Sequence, residues 1–292
     1  AAYKESIGSL AWMGEETRIE ALDKLAKFTP KIGYPDIWKD YSKLEITADD
    51  LFGNLERATL VEHNRAIEKL KGPVLKHEWS MTPQTVNAYY NPSLNEIVFP
   101  AAILQPPFFD LAADDAINYG AIGGVIGHEI GHGFDDMGST FDGDGVLRNW
   151  WSDEDRKEFE QRTEKLVAQY SSYTVLDDLP VNGEFTLGEN IGDLGGTAIA
   201  LKAYHMSREG AGAPVIDGFS AEERFFIGNA QSSRIKWREQ FMEALVKNDP
   251  HSPDKYRVNG VYRNMEDFYR AFDVREGDGL YLAPEQRVTI WQ

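Results

Sequence analysis

The stretch GVIGHEIGHGFDDMG, residues 124–138, places two histidines four positions apart, with a glutamate directly after the first. Side chains at positions i and i+4 of a helix project from the same face, so His128 and His132 can direct ring nitrogens at one metal ion. Glu129 can then lie beside the metal without binding it and take a proton from bound water. The alternative is a helix that merely contains a histidine pair, and the rest of the chain has to decide between the two.

A metal site of this kind needs a third ligand, because catalytic zinc usually has three protein ligands and one position open to water. The best candidate is Glu189 in GENIGD, residues 188–193, and Asp193 follows it on the same helical face. Asp193 can hydrogen-bond the far nitrogen of a ligand histidine and fix its tautomer. An acid pair that merely favours a helix start is the alternative. Together with the histidine pair, the pattern favours one Zn²⁺ per chain.

The composition excludes several classes of protein and of metal site. The 292 residues are 42% hydrophobic, which is enough for one large domain or two small ones. Because the chain has no cysteine, any metal must be held by histidine or carboxylate. The net charge of −18 opposes binding to nucleic acid or anionic membrane. No apolar run approaches the roughly 20 residues of a membrane span.

The first residues, AAYKESIGSL, have neither an initiator Met nor a signal-peptide pattern. We therefore expect an excised or processed piece of a longer protein. The compartment stays open, between the bacterial cytoplasm and a secreted or cell-surface location.

Helical patterns dominate the chain, with one small sheet region, which indicates an α+β protein. Residues 85–100 are two short β-type runs around a turn and predict a hairpin. Asp114 or Asp115 is expected to cap a helix that continues through residues 124–138, where glycines would allow close packing on a neighbour. At 13–29 an amphipathic pattern puts Ile19, Leu22, Leu25 and Ala26 on one face. Further helices are predicted at 47–72, 151–170, 188–207, 221–246 and 265–272, with loop in the remainder of the tail.

Four motifs in order carry a resemblance to a known family. They are VNAYY (86–90), HEIGHGFDD (128–136), GENIGDLGG (188–196) and DPHSPDKYRVNG (249–260). In this order they resemble the zinc metallopeptidases related to neprilysin, endothelin-converting enzyme and bacterial endopeptidase O. The resemblance runs from about residue 10 to residue 291. It implies a thermolysin-like zinc peptidase fold, with a small sheet whose edge strand binds the substrate, and hydrolysis of peptide bonds.

The resemblance also assigns roles to individual residues. It implies that His128, His132 and Glu189 are the zinc ligands, that Glu129 is the general base and that Asp193 is the supporting acid. His251 matches a histidine that stabilises the oxyanion. The residues that it implies for substrate binding are Asn87 and Ala88 on the edge strand, Arg257 as a clamp on a substrate carbonyl, and Ile103, Phe108 and Val125 in the pocket after the scissile bond.

The chain departs from the family in length and at one pocket residue. Relatives are roughly twice as long, and their first half forms a helical lobe that covers the active site and admits only small peptides. We therefore expect residues 1–75 to be a helical segment that links to a missing N-terminal lobe, and residues 76–292 to be the catalytic domain. Ser233, in AQSS (230–233), stands where the family generally carries a tryptophan, which predicts a roomier pocket unless a neighbour such as Trp237 fills the gap.

The sequence thus predicts a zinc-dependent metalloendopeptidase that cleaves small peptides before an apolar residue, using zinc-bound water activated by Glu129. The expected partners are peptide substrates and the missing lobe, with no nucleic acid and no membrane contact from this segment. The alternative is a non-catalytic zinc-bearing or peptide-binding fragment that needs a separate N-terminal half for activity. A pure binder has no need of Glu129, which favours the enzyme.

Overall fold

The structure is a computed structural model that describes residues 1–207 and 212–292. It is mainly helical, with a small sheet near the metal-binding motif, as the sequence predicts. The helices of these ranges are α1 (Ala2–Ser9), α2 (Glu15–Ala26), α3 (Leu51–Lys69), α4 (Asp115–Gly120), α5 (Ile122–Gly131), α6 (Asp153–Ser171), α7 (Leu187–Met206), α8 (Ala221–Ser232), α9 (Glu239–Asn248), α10 (Asp254–Tyr262) and α11 (Glu266–Phe272). None of them combines the length and apolar character that a membrane span requires.

The main sheet has three strands, β1 (Thr29–Gly33), β2 (Tyr89–Asn91) and β3 (Glu96–Pro100), in the order β1-β3-β2. Strands β2 and β3 form the predicted antiparallel hairpin, whereas β1 was not predicted and pairs parallel to β3. Every residue of β3 is buried, and β2 lies at the edge of the described sheet. Strands β4 (Thr174–Val175) and β5 (Leu179–Pro180) make a separate small ladder.

Three helix predictions are wrong, two on continuity and one on a missed helix. The predicted helix from Asp114 breaks between α4 and α5, because the Gly120 carbonyl accepts a hydrogen bond from the Asn229 side chain, 2.9 Å away. Asp114 does cap α4. The predicted helix 221–246 is two helices, and the first ends where the Ser232 hydroxyl bonds a backbone carbonyl of the preceding turn. Residues 254–262 form α10 rather than the predicted loop.

The N-terminal helices α1 and α2 belong to the same hydrophobic core as α6 and α7, and Trp291 is fully buried within that core. The predicted apolar face of α2 is confirmed at Leu22 and Leu25, which pack partly buried against this core, and is wrong at Ile19, which is 58% exposed, and at Ala26, which is also exposed. The buried positions of α2 are Thr17, Ala21 and Lys24. None of the residues described for α3 is buried. The predicted division after residue 75 stays a prediction.

Glycines bring α5 and α7 into close contact, as the sequence predicts. A Cβ on Gly127 would lie only 2.4 Å from the carbonyl oxygen of Gly196, so the two backbones touch with no room for side chains. This contact holds the histidine-bearing helix directly against the helix that carries Glu189. The fold therefore fixes the relative position of the candidate ligands.

Candidate metal centre

The three predicted metal ligands converge. His128 projects from α5, His132 is the C-cap residue of the same helix and keeps helical backbone angles, and Glu189 lies in the first turn of α7. The Glu189 carboxylate is 3.2 Å from Nε2 of His128 and 3.6 Å from Nε2 of His132. One ligand atom from each residue lies within 4.8 Å of the others. Atoms about 2.0–2.1 Å from a tetrahedral zinc are about 3.3 Å apart, so this donor set fits the ion.

The second ring nitrogen of His128 is held by an acid from α7. Its Nδ1 is 2.8 Å from Asp193, whose two oxygens accept hydrogen bonds from the Arg257 guanidinium, each 2.7 Å long. Burial alone would raise the pKa of the Asp193 carboxyl, but Arg257 and His128 hold it well below its usual range. Asp193 is therefore an anion that directs Nε2 of His128 toward Glu189.

An acid that the sequence interpretation missed holds His132. Asp135 lies 2.8 Å from Nδ1 of His132, and its other oxygen accepts hydrogen bonds from the backbone N–H groups of Met137 and Gly138. The signal was present, because Asp135 follows His132 by three positions in HGFDD. Both histidines thus use Nδ1 for a carboxylate and leave Nε2 free to face Glu189.

The electrostatics of the site favour positive charge. Burial lowers the pKa of His128, but hydrogen bonds to Asp193 and Glu189 outweigh it and raise the pKa to about 10. Burial likewise opposes ionisation of Glu189, yet the hydrogen bonds from His128 and His251 hold its pKa well below its usual range. Acids that remain ionised around imidazole nitrogens are the environment that a divalent cation needs.

Glu129 differs from Glu189 in both contacts and electrostatics. It is 5% exposed, and its Oε2 has no hydrogen-bond partner among the described residues. Burial raises the pKa of its carboxyl, and this outweighs the opposing effect of the nearby His128 and His132. Glu129 still lines the open cleft beside the ligands. A carboxylate with an unpaired oxygen and a raised pKa is suited to accepting a proton from a molecule in that cleft.

A cleft of about 650 Å³ opens above the ligand residues, and we call it the main cleft. It is lined by all of the residues predicted to bind substrate: Asn87, Ala88, Ile103, Phe108, Val125 and Arg257. Asn87 and Ala88 directly precede strand β2, at the edge of the described sheet. An extended peptide can pair with such an edge through backbone hydrogen bonds.

His251 reaches the same site from the loop before α10. Its Nε2 is 3.0 Å from Glu189, and its Nδ1 is 2.7 Å from Asp249, an acid to which the sequence interpretation gave no role. The next residue, Ser252, donates a 2.7 Å hydrogen bond to the buried Asn190 of α7. The loop is therefore fixed to the ligand-bearing helix, with the imidazole directed at the metal position.

The pocket position that departs from the family pattern also lies in the main cleft. Ser233, just after α8, lines it together with Ile235. Trp237 lies elsewhere: it packs on Phe241, 5.0 Å between ring centroids, and donates a hydrogen bond to Asp254. Trp237 lines a smaller neighbouring cavity of about 260 Å³. The space near Ser233 is therefore bordered by Ile235 and not by the indole.

The comparison with sequence families agrees with this geometry. The sequence model of peptidase family M13 matches residues 87–288, and a second model of the same family matches residues 1–35. The fold is that of a zinc peptidase, and the described residues include a His-His-Glu grouping that could hold a metal ion. The chain belongs to peptidase family M13.

Individual relatives are similar over almost the whole chain. Endothelin-converting enzyme 1 of Mus musculus is 40% identical over 99% of this chain, which covers 39% of that protein. The neutral endopeptidase of Lactococcus lactis is 39% identical over 99% of this chain and 44% of its own length. The structure of Mycobacterium tuberculosis zinc metalloprotease ZMP1 with an inhibitor superimposes with a TM-score of 0.97 at 58% identity, over 100% of this chain and 45% of that one. The chain thus spans less than half the length of these relatives.

Proposed function

We propose that this chain carries the active site of a zinc-dependent endopeptidase that hydrolyses peptide bonds of small peptides. One observation carries the proposal. Two imidazoles and the Glu189 carboxylate converge on one point, beside the unpaired oxygen of Glu129 and at the base of an open cleft. His128, His132 and Glu189 would hold one zinc ion per chain. Family membership supports the same chemistry.

The residues around the metal position divide the reaction between them. A bound zinc ion would supply Lewis-acid chemistry and an acidic water molecule. Glu129 accepts a proton from the attacking water on its carboxylate and returns it to the leaving amine. His251, held by Asp249, donates a hydrogen bond to the negative charge that develops on the substrate carbonyl oxygen. Arg257 keeps Asp193 ionised and presents its remaining N–H groups to the substrate.

The substrate is proposed to be an extended peptide that pairs with the edge strand β2. Asn87 and Ala88 are placed for backbone hydrogen bonds, since they continue β2 along the cleft. In this structure the Ala88 N–H donates a 2.9 Å hydrogen bond to the side-chain oxygen of Asn87. A substrate carbonyl can replace that contact without rearrangement of the strand.

A further N-terminal lobe is proposed as the partner of residues 1–75. Helix α3 has no buried residue within its described length, and even its apolar side chains are exposed: Phe52 is 80% exposed and Leu60 is 57% exposed. Apolar side chains of this kind on one helix are typical of a surface that another element covers. The length of the relatives is consistent with such an element, and it would restrict the main cleft to small peptides.

The decisive experiment measures bound zinc and peptide turnover in the full chain and in two variants. Glu189→Val should lose both zinc and activity, because a ligand is gone. Glu129→Gln should keep its zinc and lose turnover, because its amide cannot accept the proton. Equal zinc loss in both variants would mean that the roles are misassigned. A zinc-loaded wild type that cleaves no peptide, alone or with its N-terminal half, would leave the non-catalytic alternative in its place.

The preferred residue after the cleaved bond is proposed to be large and apolar. Ile103, Phe108 and Val125 offer an apolar lining, and burial of a Leu or Phe side chain there is worth roughly 1.5–3 kcal/mol. With Ser233 in place of an aromatic wall, Trp and Tyr should also be accepted. We expect Ser233→Trp to lower cleavage before Trp relative to Leu in peptide-library profiling. Unchanged relative rates would contradict the larger pocket, and the absence of any apolar preference would contradict the pocket assignment.

A further inference from the structure

A buried lysine lies next to the metal centre without taking part in it. Lys24 on α2 is 1% exposed, and its Nζ donates hydrogen bonds of 2.7 Å to the backbone carbonyls of Gly138 and Phe141. The rings of Tyr90, Phe134 and Trp150 surround the same nitrogen at 5.6–6.0 Å from their centroids. A lysine is seldom buried unless its nitrogen has specific partners, and here those partners are two carbonyls of one turn.

That turn holds the acid that orients His132. The Gly138 N–H donates a 2.6 Å hydrogen bond to Asp135, while the carbonyl of the same residue accepts from Lys24. Asp135 in turn contacts Nδ1 of His132. The turn also packs on the ligand itself, since a Cβ on Gly138 would lie 1.7 Å from the His132 carbonyl oxygen. Lys24 is thus linked to the candidate ligand His132 through Gly138 and the Asp135 carboxylate.

The backbone of Lys24 makes a second connection, toward the substrate-binding hairpin. Its carbonyl accepts a 3.1 Å hydrogen bond from the side-chain amide of Asn95, which follows β2 in the hairpin turn. The same amide also donates to the Gly143 carbonyl, and the Asn95 side-chain oxygen accepts from Tyr90 on β2. Lys24 of α2 therefore bonds both the turn that follows α5 and the hairpin that borders the main cleft.

We infer that Lys24 is a positioning residue for the metal centre: its Nζ fixes the turn 138–141, so that Asp135 holds His132 in the ligand orientation. This inference rests on the metal site of the proposed function and extends it to a residue more than 100 positions away. Substitution of a residue that hydrogen-bonds a metal ligand commonly weakens metal affinity by 10–100-fold. For Lys24, one step further out, we expect about 10-fold.

The competing explanation is that Lys24 serves only the stability of the fold. Lys24→Met separates the two, because it keeps an unbranched side chain of similar length among three aromatic rings and removes the donor together with its charge. Replacement of a buried charge by an apolar side chain of similar volume is often neutral or stabilising for folding. A stability role predicts lower resistance to heat at unchanged zinc affinity, whereas a positioning role predicts weaker zinc binding with little change in unfolding of the metal-free protein.

The test measures zinc affinity of the full chain by competition with a chromophoric chelator, alongside thermal unfolding of the metal-free protein. We expect Lys24→Met to raise the zinc Kd about 10-fold. The matched control is Arg224→Met, which removes another buried cation that binds Asp114 and two backbone carbonyls away from the metal ligands. Its zinc Kd should equal that of wild type.

A double-mutant cycle identifies the route. If Lys24 acts through Asp135, Lys24→Met in an Asp135→Asn background should change the zinc Kd little further, because the two effects are not independent. An unchanged Kd in Lys24→Met, or fully additive effects in the cycle, overturns the inference. If Lys24→Met does not fold, Lys24→Gln, too short to reach both carbonyls, takes its place with the same expectation. Zinc binding and peptide turnover by wild type test the proposed function separately from either result.

Discussion

Substitution of alanine for Gly127 tests whether helix contact sets the ligand geometry. The new Cβ would lie 2.4 Å from the Gly196 carbonyl oxygen and 2.8 Å from the Gly196 Cα. Ordinary contacts begin near 3.4 Å, so α5 and α7 would have to separate by about 1 Å. Because His128 lies in α5, His132 at its C-terminal cap and Glu189 in α7, this separation acts directly on the metal ligands.

The expected size of the effect follows from packing and from coordination geometry. Overpacking of a close contact costs about 1–3 kcal/mol, against about 1 kcal/mol that alanine gains over glycine as a helix former. Metal–ligand distances tolerate about 0.2 Å, much less than the 1 Å that the helices would move. We therefore expect Gly127→Ala to be neutral or destabilising by up to about 2 kcal/mol without metal, and to weaken zinc binding at least 10-fold.

Gly123 provides the matched control on the same helix. A Cβ at Gly123 would meet its nearest atoms at 3.6 and 3.7 Å, which is ordinary contact. Gly123→Ala should therefore stabilise the protein by about 0.5–1 kcal/mol and leave its zinc affinity unchanged. Calorimetry of the metal-free proteins and chelator competition measure both quantities. If the two variants behave alike in zinc affinity, close contact of α5 with α7 does not position the ligands.

Two further predictions concern charged groups behind the ligands. Asp193→Asn should weaken zinc binding about 10–100-fold, since an amide is a poorer partner for Nδ1 of His128 than a carboxylate, and an unchanged Kd in chelator competition would argue against it. Burial lowers the pKa of Lys24 from 10.5 to about 7, although Asp135 and Asp142 oppose the shift. Between pH 7 and pH 10, Lys24 is therefore more protonated in the unfolded chain than in the folded one. The free energy of unfolding of wild type should then rise with pH relative to Lys24→Met, by at most about 1.4 kcal/mol per pH unit, and parallel pH curves in denaturant unfolding would refute this.

Local spacing was enough to predict the parts of the site that lie on single helices. His128 and His132 share a face because they are four positions apart, and the same rule places Asp193 beside Glu189 on α7. The hairpin was also readable, because two β-type runs flank a turn. In each case the contact depends on residues that are close in sequence, where periodicity has a direct geometric meaning.

The features that were missed depend on contacts between distant segments. Strand β1 contains a proline and forms only because β3 offers a partner more than 60 residues later. The break before α5 exists because the side chain of Asn229, from α8, takes the Gly120 carbonyl out of the helical ladder. Lys24 reads as the solvated face of an amphipathic helix, and nothing local shows that it is buried against Gly138. Local pattern cannot supply these contacts.

The metal centre combines these two kinds of information. Each histidine is placed on α5 by helical spacing, but its ring is turned by an acid whose own position is set from outside α5. For His128 that acid is Asp193, held by Arg257 of α10. For His132 it is Asp135, in a turn held by Lys24 of α2. The two supports share no residue, so they should fail independently, and the effects on zinc affinity of a substitution in one and a substitution in the other should add.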